Sequence, residues 1–251
     1  MSLVDKLKHL RRRFLYGDRA DSETYLNHLR SAGIEIGECV IWSPELTHIE
    51  EANPHLITIG SHVDMTGPVT ILCHDYSVGV TKRWSHGEVL GSQKKVTIGD
   101  NVFLGWGCTV LAGTTIGDNT VIGAHAVATG NLPGGYIYAG SPAKPVCSIE
   151  EYYEKRKKRQ LDEALAVYAA YKERFGKVPP IEAFHEYFYL FTTDPDTLCE
   201  AFRRKLDDKG NPEECVEWLR HRGKDAPFGS YEEFCEYAEE HVGQPAGIQC
   251  R

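Results

Sequence analysis

From Ile98 onward a small or aliphatic residue recurs at every sixth position: Ile98, Leu104, Val110, Ile116, Ile122 and Ala128. Two positions before each stands a second apolar or small residue, Val96, Val102, Cys108, Thr114, Thr120 and Ala126. Two inward residues flanking one outward residue are the alternation of a strand, cut short by a turn. Glycine follows the aliphatic position at Gly99, Gly105, Gly117 and Gly123, where a backbone without Cβ can turn a corner and stack closely on the next coil. The pattern predicts a parallel β-helix of hexapeptides. Three hexads make a triangular turn that sets Ile98 beneath Ile116, Leu104 beneath Ile122 and Val110 beneath Ala128, so no coil buries its apolar side without its neighbour.

The same register appears upstream in Ile57 with Ile59, Val63 with Met65 and Val69 with Ile71. It continues more raggedly in Ile34 with Ile36, Val40 with Trp42 and Leu46 with His48, which extends the coil over residues 34–147. A β-sandwich would show irregular strand spacing and more turn dipeptides. After Ile71 the aliphatic residue due near position 77 is missing, and the next regular rung is Ile98. Loops beyond about 12–15 residues in a compact domain are usually functional or disordered. This excursion, about 73–95, holds His74, Asp75, Tyr76, Arg83, Trp84, His86 and Glu88.

Helical patterns flank the coil. SLVDKLKHLRRRF and DSETYLNHLRSAG precede it in residues 1–33, with Asp21 or Ser22 to cap the second and Gly33 to end it. A long helix begins at Ser148 and Glu151, which have capping-box spacing, and ends at Gly176 before Pro179 and Pro180. Shorter helices are expected in IEAFHEYFYLF, DPDTLCEAFRRKL, NPEECVEWLRHR and SYEEFCEYAEEHV, so residues 148–251 form a helical domain.

Composition narrows the class. The chain has 251 residues, 41% hydrophobic and 25% charged, as expected of a folded protein with one or two domains. Its amino terminus carries charges where a signal peptide needs an apolar run, and no stretch reaches the length of a membrane span, so a cytoplasmic location is expected. The eight cysteines lack any CxxC pair and read as reduced structural thiols, with no metal site implied. A net charge of −8 argues against a nucleic-acid partner.

Three segments, ILCHDYS at 71–77, VTIGDNVFLGWGCTVLAGTTIGDNTVIGAHAVATGNLPGG at 96–135 and YAGSPAKPV at 138–146, resemble the left-handed β-helix hexapeptide-repeat acyltransferases. The likeness is closest to sugar O-acetyltransferases of the galactoside, maltose and capsular-polysaccharide type. The resemblance implies the left-handed coil, acetyl-CoA as cosubstrate, a homotrimer and a saccharide acceptor. It makes His74 the catalytic base, matching the histidine that opens the looped excursion. A sugar hydroxyl is a poor nucleophile until a base removes its proton, and imidazole is matched to neutral pH.

The resemblance further implies an oxyanion donor in the backbone N–H of Trp106, within GWG, and acetyl-CoA contacts at Phe103, Gly105, Trp106, Ala124, Thr129 and Lys144, with Lys144 facing a phosphate. Where many relatives continue from the threonine with a lysine, this chain has Gly130 and Asn131; the KRKKR run at 155–159 either compensates or is a solvated helix face. Asp75, Tyr76, Arg83, Trp84, His86 and Glu88 are the expected acceptor contacts, since aromatic and charged side chains together suit a sugar's apolar face and hydroxyl rim. Asp75 adjoins His74, but neighbours on a strand point to opposite faces, so it need not orient the imidazole.

Other readings stay open at this point. A γ-class carbonic anhydrase shares the scaffold, but its HxxxxH spacing is absent from the eleven histidines. An N-acetyltransferase acting on an amino sugar nucleotide uses the same chemistry, and a non-catalytic β-helix scaffold would need neither His74 nor the glycines of GWG.

Overall fold

The computed structural model describes residues 3–192, 194–207, 211–222 and 226–241. It divides into two compact units, Met1–Tyr152 and Tyr153–Arg251.

The first unit is a coil with a parallel sheet on each of three sides. Side one stacks Glu35–Ile36, Ile57–Ile59, Val96–Ile98, Thr115–Ile116 and Asn131–Leu132. Side two stacks Cys39–Ile41, Val63–Met65, Val102–Leu104, Thr120–Ile122 and Tyr136–Ala139, and side three His48–Ile49, Thr70–Ile71, Thr109–Val110 and Val127–Ala128. Strands this short are not stable alone. Register holds them, because Ile116 pairs with Ile98, Leu104 with Ile122 and Val110 with Ala128. All twelve inward residues of the six hexads from Val96 to Ala128 are buried in one continuous core.

Corners repeat as faithfully as sides. Asn101 and Asn119 both take the left-handed conformation, φ 54° at each, which asparagine tolerates better than most residues, and the Asn101 amide donates to Asn119 Oδ1 at 2.7 Å. Asp118 Oδ1 accepts the Asp100 N–H at 2.8 Å, and Asp100 Oδ1 accepts that of Ser61 at 2.6 Å. At Gly117 a Cβ would stand 2.3 Å from the backbone nitrogen of Gly134 in the next coil, so close stacking excludes any side chain there.

The first coil departs from the expected register. Its inward residues are Ile34 and Ile36, Cys39 and Ile41, Thr47 and Ile49; Ile41 pairs with Met65 and Ile49 with Ile71. Trp42 and Leu46 are half exposed, at 50% and 53%, and Val40 and His48 face outward. A turn over Ser43 and Pro44, closed by bonds from the Leu46 and Thr47 N–H groups to Ser43 O, lengthens this corner and shifts the next strand. The coil also ends earlier than residue 147: Lys144–Ser148 runs antiparallel to Tyr136–Ala139 and closes the stack as a hairpin.

Helix α1, Leu3–Tyr16, precedes α2, Ser22–Ser31, whose Tyr25, Leu26 and Leu29 join the coil's core. Asp21 caps α2, accepting from the Thr24 N–H at 2.8 Å. The excursion is not irregular throughout, since it contains a helix, α3, Val78–Trp84. Helix α4, Ile149–Phe175, opens on the expected box, with the Glu151 N–H on Ser148 Oγ at 3.1 Å and the Ser148 N–H on Glu151 Oε2 at 2.9 Å.

In the second unit α5, Glu200–Asp207, α6, Pro212–Arg222, and α7, Tyr231–His241, surround an aromatic core of Phe184, Phe188, Phe191, Phe202 and Phe234. IEAFHEYFYLF forms two 3₁₀ turns, Ile181–Phe184 and Phe188–Leu190, in place of one helix; Leu190 is buried along with Phe184, Phe188 and Phe191, a set wider than one helix face. The end of the predicted last helix, Val242, and Cys250 lie outside the described residues.

Ile116 stands mid-column, fully buried between Ile98 and Leu132. Ile116→Ala should therefore cost about 2–5 kcal/mol, read as a lowered midpoint in urea denaturation. A loss below about 1 kcal/mol would contradict column packing as the source of stability.

Candidate functional site

The excursion leaves side three after Ile71 and is cinched at its neck. His74 bridges Gln93 in antiparallel fashion, the Asp75 N–H donates to Ser92 O at 3.0 Å, and the Lys94 N–H donates to Cys73 O at 2.9 Å. His74 thus sits at the edge between sides three and one, held by main chain on both flanks.

Beneath it lies Glu50, on the preceding coil directly after inward Ile49; its N–H donates to Ile71 O at 3.0 Å. Its carboxyl is 2% exposed and its bonds run to the neck: Oε2 accepts the Cys73 N–H at 2.8 Å and the His74 N–H at 3.2 Å, while Oε1 pairs with His74 Nδ1. Burial pushes the Glu50 pKa upward, but the bonds from Cys73 and His74 outweigh it and hold the group below the usual carboxylate range. An ionised carboxylate only accepts, so the bonded Nδ1 carries a proton, and in the neutral ring the lone pair lies on Nε2. The imidazole is 21% exposed, and the Tyr76 ring packs against it at 3.9 Å between centroids. A buried carboxylate, an imidazole of fixed tautomer and a partly open ring nitrogen together can take a proton from a hydroxyl.

Asp75 does not share in this. Its carboxylate accepts the Ser77 N–H and hydroxyl, both at 2.8 Å, and shapes the turn before α3; these bonds lower its pKa. Arg83 and Trp84 end α3, and His86 and Glu88 form the turn after it; all four are exposed, Trp84 at 83%. Of the expected acceptor contacts, Tyr76 is the residue whose ring packs against the imidazole.

Trp106 lies elsewhere. The Gly105–Gly107 turn connects Val102–Leu104 on side two to Thr109–Val110 on side three, one edge away from His74. Trp106 is 48% exposed, its carbonyl accepts the His125 N–H at 2.8 Å, and among the described residues no backbone acceptor takes its own N–H. At Gly105 a Cβ would come within 2.7 Å of Ala124 N, which brings those two turns into contact. Phe103 leads into this edge, and the GSPAK segment crosses it, the Ala143 N–H bonding Val127 O at 2.8 Å just before exposed Lys144. Thr129 instead follows Ala128 on the edge that carries His74.

The sequence reading missed Glu50. The signal was present as a lone acid directly after an inward isoleucine, one coil beneath Cys73 and His74, but the misplaced first-coil register set Leu46 and His48 inward and hid that adjacency.

The bacterial transferase hexapeptide (six repeats) model matches residues 95–130. The galactoside O-acetyltransferase of Lactococcus lactis is 34% identical over 168 residues, covering 56% of this chain and 77% of that protein. The chain belongs to the hexapeptide-repeat transferase family, and its fold is the left-handed parallel β-helix with helical segments before and after it in sequence. A putative acetyltransferase of Schizosaccharomyces pombe is 43% identical over 95 residues; the match takes in 38% of this chain and spans 44% of the relative's length. A solved galactoside acetyltransferase in complex with coenzyme A is 22% identical, with a TM-score of 0.37, over 61% of this chain and 86% of that one.

A carboxylate whose pKa falls on folding contributes stability above its unfolded value, near 4.5, and loses it as pH drops through the folded value. Glu50→Gln should accordingly be less stable than wild type at pH 7, with the gap closing below pH 4.5. A gap unchanged between pH 7 and pH 3 in paired denaturation curves would contradict the ionised, hydrogen-bonded carboxylate.

Proposed function

We propose that this chain is an acetyl-CoA-dependent O-acetyltransferase that modifies a hydroxyl of a sugar, saccharide or sugar-containing precursor, with His74 as general base. The carrying observation is the Glu50–His74 pair at the neck of the excursion, where a buried carboxylate fixes one ring nitrogen and leaves the other as a base. Membership of a transferase family and the name of the Lactococcus lactis relative support the donor and the saccharide class.

In the proposed reaction His74 Nε2 takes the hydroxyl proton as the acceptor oxygen attacks the thioester carbonyl. The resulting oxyanion accepts a hydrogen bond from the Trp106 N–H. As the C–S bond breaks, His74 returns the proton to the departing thiolate, so the base is regenerated. Glu50 steadies the imidazolium between these steps and is a positioning residue. Phe103, Gly105, Trp106, Ala124, Thr129 and Lys144 form the acetyl-CoA groove. Tyr76, Arg83, Trp84, His86 and Glu88 contact the acceptor; Asp75 acts by shaping the turn that carries Tyr76.

His74 and Trp106 occupy different edges of one coil, so a site that uses both needs a neighbouring copy, and a rotation axis parallel to a three-sided coil supplies it as a homotrimer. The excursion presents Tyr76, Val80, Trp84, Val89 and Leu90 at 50–83% exposure, apolar surface suited to a subunit interface.

His74→Ala should lower acetyl transfer by about 10² to 10⁴-fold in a thiol-release assay with acetyl-CoA against oligosaccharides and sugar nucleotides, with the trimer and coenzyme A binding retained. Glu50→Gln should lower kcat by about tenfold or more with KM for acetyl-CoA unchanged. A chain that never binds coenzyme A would favour the scaffold reading. Light scattering should give three times the mass of the chain, and a monomer that retains full turnover would exclude the intersubunit site.

A further inference from the structure

The helical unit holds a cavity of about 800 Å³ between α4, the Phe188–Leu190 turn and α6. Its size falls within the range of ligand sites. Arg156, Lys157, Lys158, Tyr189, Trp218 and Arg222 line it, and among the described residues no aspartate or glutamate does. In a chain of net charge −8 this is a local reversal of sign.

The lining is ordered. Tyr189 and Trp218 meet edge to face at 5.7 Å, and the Arg222 guanidinium lies over both rings, 5.0 Å from the Tyr189 centroid and 5.2 Å from that of Trp218. The Tyr189 hydroxyl donates to Gln160 Oε1, and the Gln160 amide donates to Arg156 O at 2.8 Å. Glu163, outside the lining, holds Arg156 through two bonds of 2.6 and 2.9 Å. Trp218 remains 48% exposed, and Lys158 and Lys157, whose ammonium lies 5.8 Å from the Tyr153 ring centroid, are exposed, so an indole surface and two cationic side chains face solvent.

Donors therefore outnumber acceptors on this wall, and Tyr189 already occupies the Gln160 carbonyl. A nucleobase amino group would find side-chain acceptors only in the Tyr153 and Tyr189 hydroxyl oxygens and a neutral His221 ring among the described lining residues. A sugar ring suits it better, because its C–H face packs on indole and each hydroxyl accepts as well as donates. The excess of cations then selects a sugar that bears an anion. The geometry points to a binding site for a carboxylated saccharide in the helical unit, separate from the Glu50–His74 site and independent of acyl transfer.

Titration of the full chain with trigalacturonate, without any acetyl donor, tests this by calorimetry and by Trp fluorescence. Expected is saturable binding that weakens with added salt, with maltotriose at least about tenfold weaker and Trp218→Ala or Arg222→Gln each reducing affinity by about tenfold or more. The double variant Lys157→Gln, Lys158→Gln alters exposed positions alone and should likewise weaken binding while thermal unfolding stays unchanged. Absence of trigalacturonate binding, equal binding of maltotriose, preference for uridine diphosphate, or an affinity unmoved by all of these variants would each overturn the assignment.

Discussion

Vertical register between successive coils is the constraint on which the rest of the first unit depends. A strand of two or three residues gains too little from its own hydrogen bonds to persist, so each becomes stable only by stacking like side chain on like side chain above and below. The Ile36, Ile59, Ile98, Ile116 and Leu132 column shows the consequence, since each member meets an aliphatic neighbour in the adjoining coil. Inward positions then carry little freedom for chemistry. Function has to be placed at corners and in segments that leave the coil, where chain length changes without moving a column.

His74 and Glu50 exploit that arrangement. They are 24 residues apart, yet the pairing of Ile49 with Ile71 brings their positions together within one step of the stack. Burying a carboxylate is costly unless its oxygens are satisfied, and here two main-chain N–H groups and an imidazole satisfy them. A leucine at that corner would avoid the desolvation cost but leave the buried Cys73 N–H and the His74 N–H without their acceptor, and those two bonds by themselves need an acceptor and give no reason for an acid. Orientation of the ring and choice of its tautomer do give one, and they agree with a base working through Nε2.

The hexads from Val96 to Ala128 were legible because period and burial coincide there without insertion. Upstream the step from Ile36 to Ile41 is one residue short of the period and the turn over Ser43 and Pro44 then lengthens the next corner, and a six-residue period has no means of announcing where such changes fall; Trp42 and Leu46 look as apolar as the residues that replaced them inside. The same slip concealed Glu50. In the helical unit, rings spaced three and four apart read as a helix over IEAFHEYFYLF, whereas a dense aromatic core accepted two tight turns. The excursion stood out because it interrupts a strict repeat, and the family resemblance singled out His74 within it; Glu50 was missed because it sits where the repeat is least strict.

The separation of His74 and Trp106 has a geometric consequence for assembly. Consecutive edges of a triangular coil are divided by a full side, here Thr70–Ile71 and the strands stacked on it, so in the proposed reaction the Trp106 edge and the imidazole that serve one thioester belong to different copies. Packing a second coil beside the first with parallel axes sets unlike edges against each other. Such a contact is heterologous, and it closes into a ring when the rotation between neighbours is a third of a turn. In the proposed threefold form the His74 edge and the GWG edge of each copy are each used once, the third edge faces outward, and each imidazole meets one neighbouring GWG turn. In the proposed enzyme the oligomer is therefore part of the active site, because the base and the oxyanion donor belong to different chains.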